Sequence, residues 1–295
     1  MVEENSRTSK LRNSIRVIIL FIAALSCFYP LWYTLCNSLS TKSAVEAGYV
    51  SFYPIGFTME NYFAITKDMD FYAAFLRSVL RVVIGTPLSL AVCVLIAFPM
   101  SKSTKEFKPR NIIMYLLVFC MLFSGGTVPW YLFMIKYGFQ DSLFGLILCG
   151  GLPIYYCILI MNSFRSIPKE LDEAARIDGA TPLGSLVKII LPCTLPTLAT
   201  IALFIAINYW NDYFQGMILS KTPRFYPLMT YINTFNANID MNVQLTTEEM
   251  ISRAKMSNKA LNSAKVFIAI LPMLCVYPWI QRYFIKGIMI GAVKG

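Results

Sequence analysis

Residues 208–214 read Asn-Tyr-Trp-Asn-Asp-Tyr-Phe, inside a long apolar stretch. Amides, a carboxylate and aromatic rings packed this closely are too polar for a helical turn that faces lipid. Aromatic faces flanked by amides and a carboxylate suit sugar rings and hydroxyls. Asn208, Tyr209, Trp210, Asn211, Asp212 and Tyr213 are therefore candidates to line a solute path. Hydrogen bonding between helices, with an aromatic belt at a span's outer end, accounts for the same residues equally well. Arg77 and Arg81 enter another apolar run four residues apart, on one helical face. Charge inside a membrane marks function by default, whereas an arginine near a helix end can snorkel to the interface. Both readings stand. The chain has no histidine, so the commonest general base and metal ligand is missing. No catalytic set and no metal-ligand set assembles.

A second cluster is charged. Residues 170–192 read ELDEAARIDGATPLGSLVKIILP, between two apolar runs. Pro168 suits a first helical turn, and Glu170, Asp172 and Glu173 suit the positive end of the helix dipole. Asp172 and Arg176 form a favourable i, i+4 pair. Gly179 predicts a helix stop, with Thr181 and Pro182 as cap and first residue of a second helix. Leu183, Leu186, Val187 and Ile190 recur at helical spacing as one apolar face. Ala174 and Ala175 offer a small surface that another backbone can approach. A two-helix docking element for a cytoplasmic partner is the best physical reading, since an acidic first helix argues against nucleic acid and a passive loop needs no such caps.

These clusters must be held by membrane-spanning elements. Hydrophobic residues make up 57% of the 295, and mean hydropathy is +0.58, well above that of soluble domains. Apolar runs at 17–39, 73–100, 112–123, 142–162, 194–219 and 266–285 predict six spans. Gly125, Gly126 and Pro129 break the third near the outer surface, and residues 131–139 lie along the interface. Residues 149–153, Cys-Gly-Gly-Leu-Pro, break the fourth. Pro192 and Pro196 mark the start of the fifth.

Basic residues concentrate on one side of this path, at Arg7, Lys10, Arg12 and Arg16, then Lys102, Lys105, Lys108 and Arg110. Arg165, Lys169, Arg176 and Lys188 follow, then Arg282, Lys286 and Lys294. By the positive-inside rule both termini are cytoplasmic. The formal charge of +10 is thus a topology signal more than a nucleic-acid one. The eight cysteines lie in or beside apolar runs without a C-x-x-C pair, as small hydrophobes do.

The string Glu173-Ala174-Ala175, then Gly179, then Ile189-Ile190-Leu191-Pro192 resembles the EAA signature of membrane subunits of bacterial ATP-binding-cassette importers. Residues 57–62 (FTMENY), Ser124-Gly125-Gly126, Trp210-Asn211 and the glycine-rich ending to Gly295 are similar to the carbohydrate-uptake class, its MalG-like and LplC/YtcP-like oligosaccharide permeases included. The resemblance implies an all-α membrane protein of the type I importer (MetI-like) permease fold. It implies a cytoplasmic segment 1–14, a permease domain 15–285 and a cytoplasmic tail 286–295.

The loop at 165–193 would couple to cytoplasmic ATPases through Glu173, Ala174, Ala175, Asp178, Gly179, Leu183, Leu186, Ile189, Leu191 and Pro192. Leu183, Leu186 and Val187 would pack back on the permease. Gly291, Lys294 and Gly295 would reach the ATPase interface. The external loop 220–262 would contact a solute-binding lipoprotein. Implied partners are a second homologous permease, two ATPases, that lipoprotein and membrane lipid, with no nucleic acid. No cofactor is expected on this chain. Without a GxxxxGK[ST] sequence here, ATP and Mg belong to the partner ATPase.

Overall fold

A computed structural model describes the backbone of residues 7–150, 152–237 and 259–292, and side chains of 12–150, 152–175, 177–234 and 259–276. The described elements are helical. The chain divides into two compact units, residues 1–69 with 235–271 and residues 70–234 with 272–295.

In the first unit, α1 (Arg7–Ser38) is an apolar helix whose side chains from Arg12 to Pro30 are all exposed. Its last turn, by contrast, is pinned. Two short helices, α2 (Lys42–Glu46) and α3 (Glu60–Thr66), fold against it. Buried Asn61 donates to the Ser38 carbonyl at 2.9 Å and to the Ser40 carbonyl at 3.2 Å, and the Ser38 and Tyr62 hydroxyls meet at 2.8 Å. The FTMENY segment therefore satisfies the carbonyls that a helix end leaves open. Cys36, Ala44, Val45, Val50 and Ala260 form the small core. Lys265, buried, reaches Asp68 at 2.7 Å.

In the second unit, α4 (Met69–Ser101) runs unbroken through Pro87 and Pro99. The helices α5 (Arg110–Leu122) and α6 (Thr127–Lys136) meet at 110° across residues 123–126, where Gly126 has a φ of +85°. The glycines thus act as expected. The fourth apolar run is α7 (Leu143–Leu148) and α8 (Ile154–Arg165), two pieces each too short to span alone.

Then come α9 (Lys169–Ile177), α10 (Pro182–Ser185), a π-helical turn (Leu186–Ile190) and α11 (Leu191–Asn211), followed by α12 (Phe214–Leu219) and α13 (Leu228–Ala237). The last helix, α14, covers Lys259–Ala292. The core of this unit packs Cys93, Val94, Ala97 and Phe98 of α4 against Ile160, Met161 and Phe164 of α8 and Leu198, Ile201 and Ile205 of α11.

Among the described residues, four continuous helical stretches are long and apolar enough to cross a membrane: Arg12–Ser38, Met69–Ser101, Pro182–Asn211 and Lys259–Val276. The bent pair α5–α6 makes a fifth if it counts as one passage. Two expected boundaries change. The fifth span starts at Pro182 rather than at Thr194, because the π turn carries α10 into α11 without a break. It stops at Asn211 rather than at Leu219, because Asp212 leaves the helix with extended backbone.

Candidate functional site

Breaks in two neighbouring apolar runs create the polar interior. At 149–153, Gly150 and Pro153 stop α7 from continuing into α8, which strands the last carbonyls of α7 where water is scarce. Unpaired, each such group costs several kcal/mol in lipid. Side chains from three helices answer them. Arg81 Nε of α4 donates to the Leu146 carbonyl at 2.9 Å, and Tyr209 Oη of α11 to the Ile147 carbonyl at 2.9 Å. Gln215 Nε2 of α12 donates to the Cys149 carbonyl at 3.2 Å.

The second break, at Asp212 and Tyr213, is tied to the first by Arg81. This guanidinium is 1% exposed, and its Nη2 reaches Asp212 Oδ2 at 2.8 Å and Gln215 Oε1 at 3.1 Å. Its Cζ lies 5.3 Å from the Tyr209 ring centroid. The other Asp212 oxygen accepts the Gln215 N–H at the head of α12, at 3.3 Å. Nη1 has no acceptor among the described residues. Arg81 thus faces inward and does not snorkel. Arg77 reaches the Tyr226 carbonyl at 3.2 Å and lies over Phe225.

Below this knot lies a cavity of about 270 Å³ lined by Arg81, Ser89, Tyr156, Asn208, Tyr209 and Asp212, with Gly150, Pro153, Ile205 and Gln215 completing the wall. The Ser89 and Tyr209 hydroxyls meet at 2.8 Å, and Asn208 donates to the Tyr156 hydroxyl at 2.9 Å. Tyr156 stacks on Phe204 with ring planes 7° apart. Of the six residues expected on a solute path, Asn208, Tyr209 and Asp212 line this cavity. Trp210 is buried elsewhere, edge-on to Phe75, while Asn211 and Tyr213 are exposed outside it. Helical spacing explains the split, since 208 and 212 share a face and 210 and 211 point away. Sequence reading missed Ser89, Tyr156 and Gln215. Tyr155-Tyr156 after the Gly-Pro break was the available signal.

The charged loop forms the other end of this unit. The Ala180 N–H returns to the Ala175 carbonyl at 2.9 Å and Gly179 has a φ of +80°, a C-terminal turn that only glycine adopts without strain. The Thr181 hydroxyl accepts the Gly184 N–H at 3.1 Å, and Pro182 opens α10. Both caps are as expected. Pro168 stands one residue before α9, whose first residue is Lys169. Glu173, Ala174, Asp178 and Gly179 are exposed and Ala175 is buried. Leu171 and Ile177 are exposed too, the latter at 87%.

The apolar face expected of α10 divides. Leu186 and Ile190 are buried, but Leu183 and Val187 are 63% and 58% exposed, so they do not pack back on this chain. The π turn adds a residue to one turn and so rotates the face out of phase. Ile189 and Leu191 are half-buried and Pro192 is exposed. The Asp172–Arg176 pair cannot be placed, since the Arg176 side chain lies outside the described residues. Lys294 and Gly295 also lie outside the described residues, and Gly291 falls in the last described turn of α14.

Asp172 pairs with Lys102 Nζ at 2.7 Å and accepts from Ser185 Oγ at 2.5 Å. A cleft of about 600 Å³ opens beside it, walled by Lys102, Arg110, Arg165, Asp172 and Glu173 among others. Arg110 and Arg165 both donate to the Met100 carbonyl, at 3.0 and 2.9 Å. Burial, and then the like charge of Arg110, pushes the Arg165 guanidinium below its ordinary value.

Polar cavities between broken apolar helices, one of them running directly into an exposed and capped loop, are the equipment of a transport permease and not of a catalytic subunit. The chain belongs to the family described as binding-protein-dependent transport system inner membrane component, whose profile matches residues 2–290.

It is 34% identical over 276 residues to the polygalacturonan/rhamnogalacturonan transport system permease protein YtcP of Bacillus subtilis (strain 168), covering 94% of this chain and 96% of that one. It is 32% identical over 279 residues to protein LplC of the same organism, covering 94% and 93%. Among solved structures, a chain of a bacterial ABC transporter involved in import of the acidic polysaccharide alginate matches with a TM-score of 0.84 and 30% identity. That match covers 96% of this chain and 100% of the other. A chain of a bacterial alginate transporter in complex with an alginate pentasaccharide-bound periplasmic protein shares the fold, with a TM-score of 0.55 at 15% identity.

Proposed function

We propose that this chain forms half of the translocation pathway of an ATP-driven, binding-protein-dependent importer for sugars, with oligosaccharides as cargo. The observation that carries the reading is the cavity in which Tyr156, Tyr209 and Asn208 stand beside Ser89 and Asp212. Rings with neighbouring amide, hydroxyl and carboxylate groups match the apolar faces and hydroxyl edges of a sugar. Relatives named for polygalacturonan, rhamnogalacturonan and alginate transport support the same cargo class.

In this reading the chain crosses the membrane six times, each broken pair counting as one passage, with both termini in the cytoplasm. A second, homologous permease completes the pathway. Two cytoplasmic ATPases hold ATP and Mg and grip α9, with Glu173 facing a basic residue and Ala174 and Gly179 allowing close approach. Ile177, Leu171 and Leu183 add an apolar face to that contact, since apolar side chains this exposed at a loop tip suit a partner's surface. An extracellular lipoprotein delivers cargo to the loop 220–262, and the tail residues Gly291, Lys294 and Gly295 reach the ATPases.

The test is reconstitution of the full assembly in proteoliposomes with its cognate lipoprotein, followed by uptake of labelled solutes. ATP-dependent accumulation of oligosaccharides is expected. Accumulation of an amino acid or inorganic anion, with no sugar taken up, would leave the importer architecture standing and remove the carbohydrate assignment.

A further inference from the structure

We infer that Asp172, not the signature residue beside it, is the positioning residue that clasps α9 to the inner ends of the spans, through Lys102 and Ser185. Glu173 and Ala174 are exposed. Asp172 spends both carboxylate oxygens within its own chain. Oδ2 takes Lys102 Nζ at 2.7 Å, and Oδ1 takes the hydroxyl of Ser185, which is 1% exposed at the end of α10.

Lys102 directly follows α4 and is itself held, with Nζ 4.7 Å from the Phe98 ring centroid, and Phe98 belongs to the core of the unit. The two side chains of the ion pair are only 16% and 19% exposed, so the pair is drier and more fixed than an ordinary surface bridge. One residue before Ser101, the Met100 carbonyl collects Arg110 at the start of α5 and Arg165 at the end of α8. The inner ends of α4, α5 and α8 are therefore already one block, and Asp172 fastens both α9 and the head of the α10–α11 span to it. A displacement of α9 then moves the block as a body. The first cytoplasmic loop belongs to the coupling unit, although it carries none of the signature.

This rests on the reading of α9 as the ATPase contact, and the experiment separates the two. Asp172→Ala, and the exchanged pair Lys102→Asp with Asp172→Lys, are assembled with the partner permease, ATPases and lipoprotein. Amide hydrogen exchange is followed in peptides spanning 100–108 and 169–178, a readout that needs neither the right cargo nor a working ATPase. Asp172→Ala is expected to speed exchange at least tenfold in both peptides, and the exchanged pair to restore it to within about threefold. In the same preparations, solute imported per ATP hydrolysed should fall at least fivefold for Asp172→Ala, with basal hydrolysis within twofold of wild type, and recover in the exchanged pair. Wild-type exchange in either peptide of Asp172→Ala overturns the clasp, as does an unchanged import ratio or failure of the exchanged pair to rescue. Absence of lipoprotein-stimulated hydrolysis in the wild-type assembly would instead count against the importer reading, while the exchange data still decide the clasp.

Discussion

Replacing Arg81 by methionine tests the account of the buried knot most directly. The substitution keeps an unbranched apolar stem but deletes the cation. Asp212 then loses its cation and keeps only the Gln215 N–H, and the Leu146 carbonyl loses the guanidinium and keeps only the weak thiol donor of Cys149. Breaking a buried ion pair from one side costs about 3–5 kcal/mol. Asp212 retains 20% exposure toward the cavity, so water can relieve part of that cost, and about 3 kcal/mol is the expected loss. For a chain of this size that lowers a thermal midpoint by about 6–12 °C.

Asp212→Asn is the complementary change. It keeps an acceptor for Arg81 and for the Gln215 N–H, yet leaves an uncompensated guanidinium that is 1% exposed. The double variant has neither charge. It should be less destabilised than the sum of the singles by about 1–3 kcal/mol, the size of coupling usual for groups in contact. The assay is thermal unfolding of the purified assembly in detergent, followed by tryptophan fluorescence, for wild type, both singles and the double. An Arg81→Met midpoint within 1 °C of wild type, or strict additivity in the double, would show that the pair does not join the two breaks.

Glu173→Lys and Gly179→Trp should leave membrane insertion intact, since both positions are exposed and a Cβ at Gly179 meets nothing within 4 Å, so the cost at Gly179 is confined to backbone strain at its φ of +80°. ATP-driven uptake should vanish in both, and wild-type uptake in either would remove the docking assignment. Gly85→Ala places a methyl 2.9 Å from Cε2 of Tyr209, whose hydroxyl is fixed at both ends, so about 1–3 kcal/mol of overpacking is expected. Thermal unfolding reads that cost, and slower uptake should accompany it because Tyr209 lines the cavity. Asn61→Ala leaves the Ser38 and Ser40 carbonyls without their shared donor, a loss of about 1–3 kcal/mol that limited proteolysis across residues 40–60 should register as faster cleavage.

Features set by a few adjacent residues were legible from the chain alone. Gly179, Thr181 and Pro182 place the loop's caps, Gly126 places the α5–α6 bend, and Gly150 with Pro153 places the fourth-span break. Each is a local backbone preference that tertiary packing has no reason to override. The pairing of Arg81 with Asp212 was not read, although a signal existed. Charges inside apolar runs seek one another, and this chain carries a cation at 81 and a carboxylate at 212. Nothing in helical spacing says that residues 131 apart in sequence meet, so Arg77 and Arg81 looked alike. The exposure of Leu183 and Val187 was hidden for a different reason. An apolar stripe reads the same whether its own chain or a partner covers it, and the π turn that rotates the stripe has no residue signature.

The two ends of the second unit are mechanically linked by the helix that was expected to be interrupted. From Ser185 to Asp212 the chain is helical almost throughout, and 27 residues at helical rise span about 40 Å. A tilt of only about 5° in a rod of that length moves its far end by about 3.5 Å, more than the 2.8 Å that separates Arg81 from Asp212. On the proposed reading, the rod therefore cannot tilt appreciably relative to α4 about its fastened head without stretching the ion pair, because Arg81 sits on α4 and Asp212 on the rod's tip. The bond does not need to be weak for this to work. It needs only to be short-ranged, which a hydrogen-bonded pair is. Arg81 also lies 20 residues from Ser101 and Ser89 only 12, distances of about 30 and 18 Å along α4. With both termini in the cytoplasm, as proposed, the pair would stand toward the outer end of the cavity, and its opening would connect the cavity to the side from which cargo arrives.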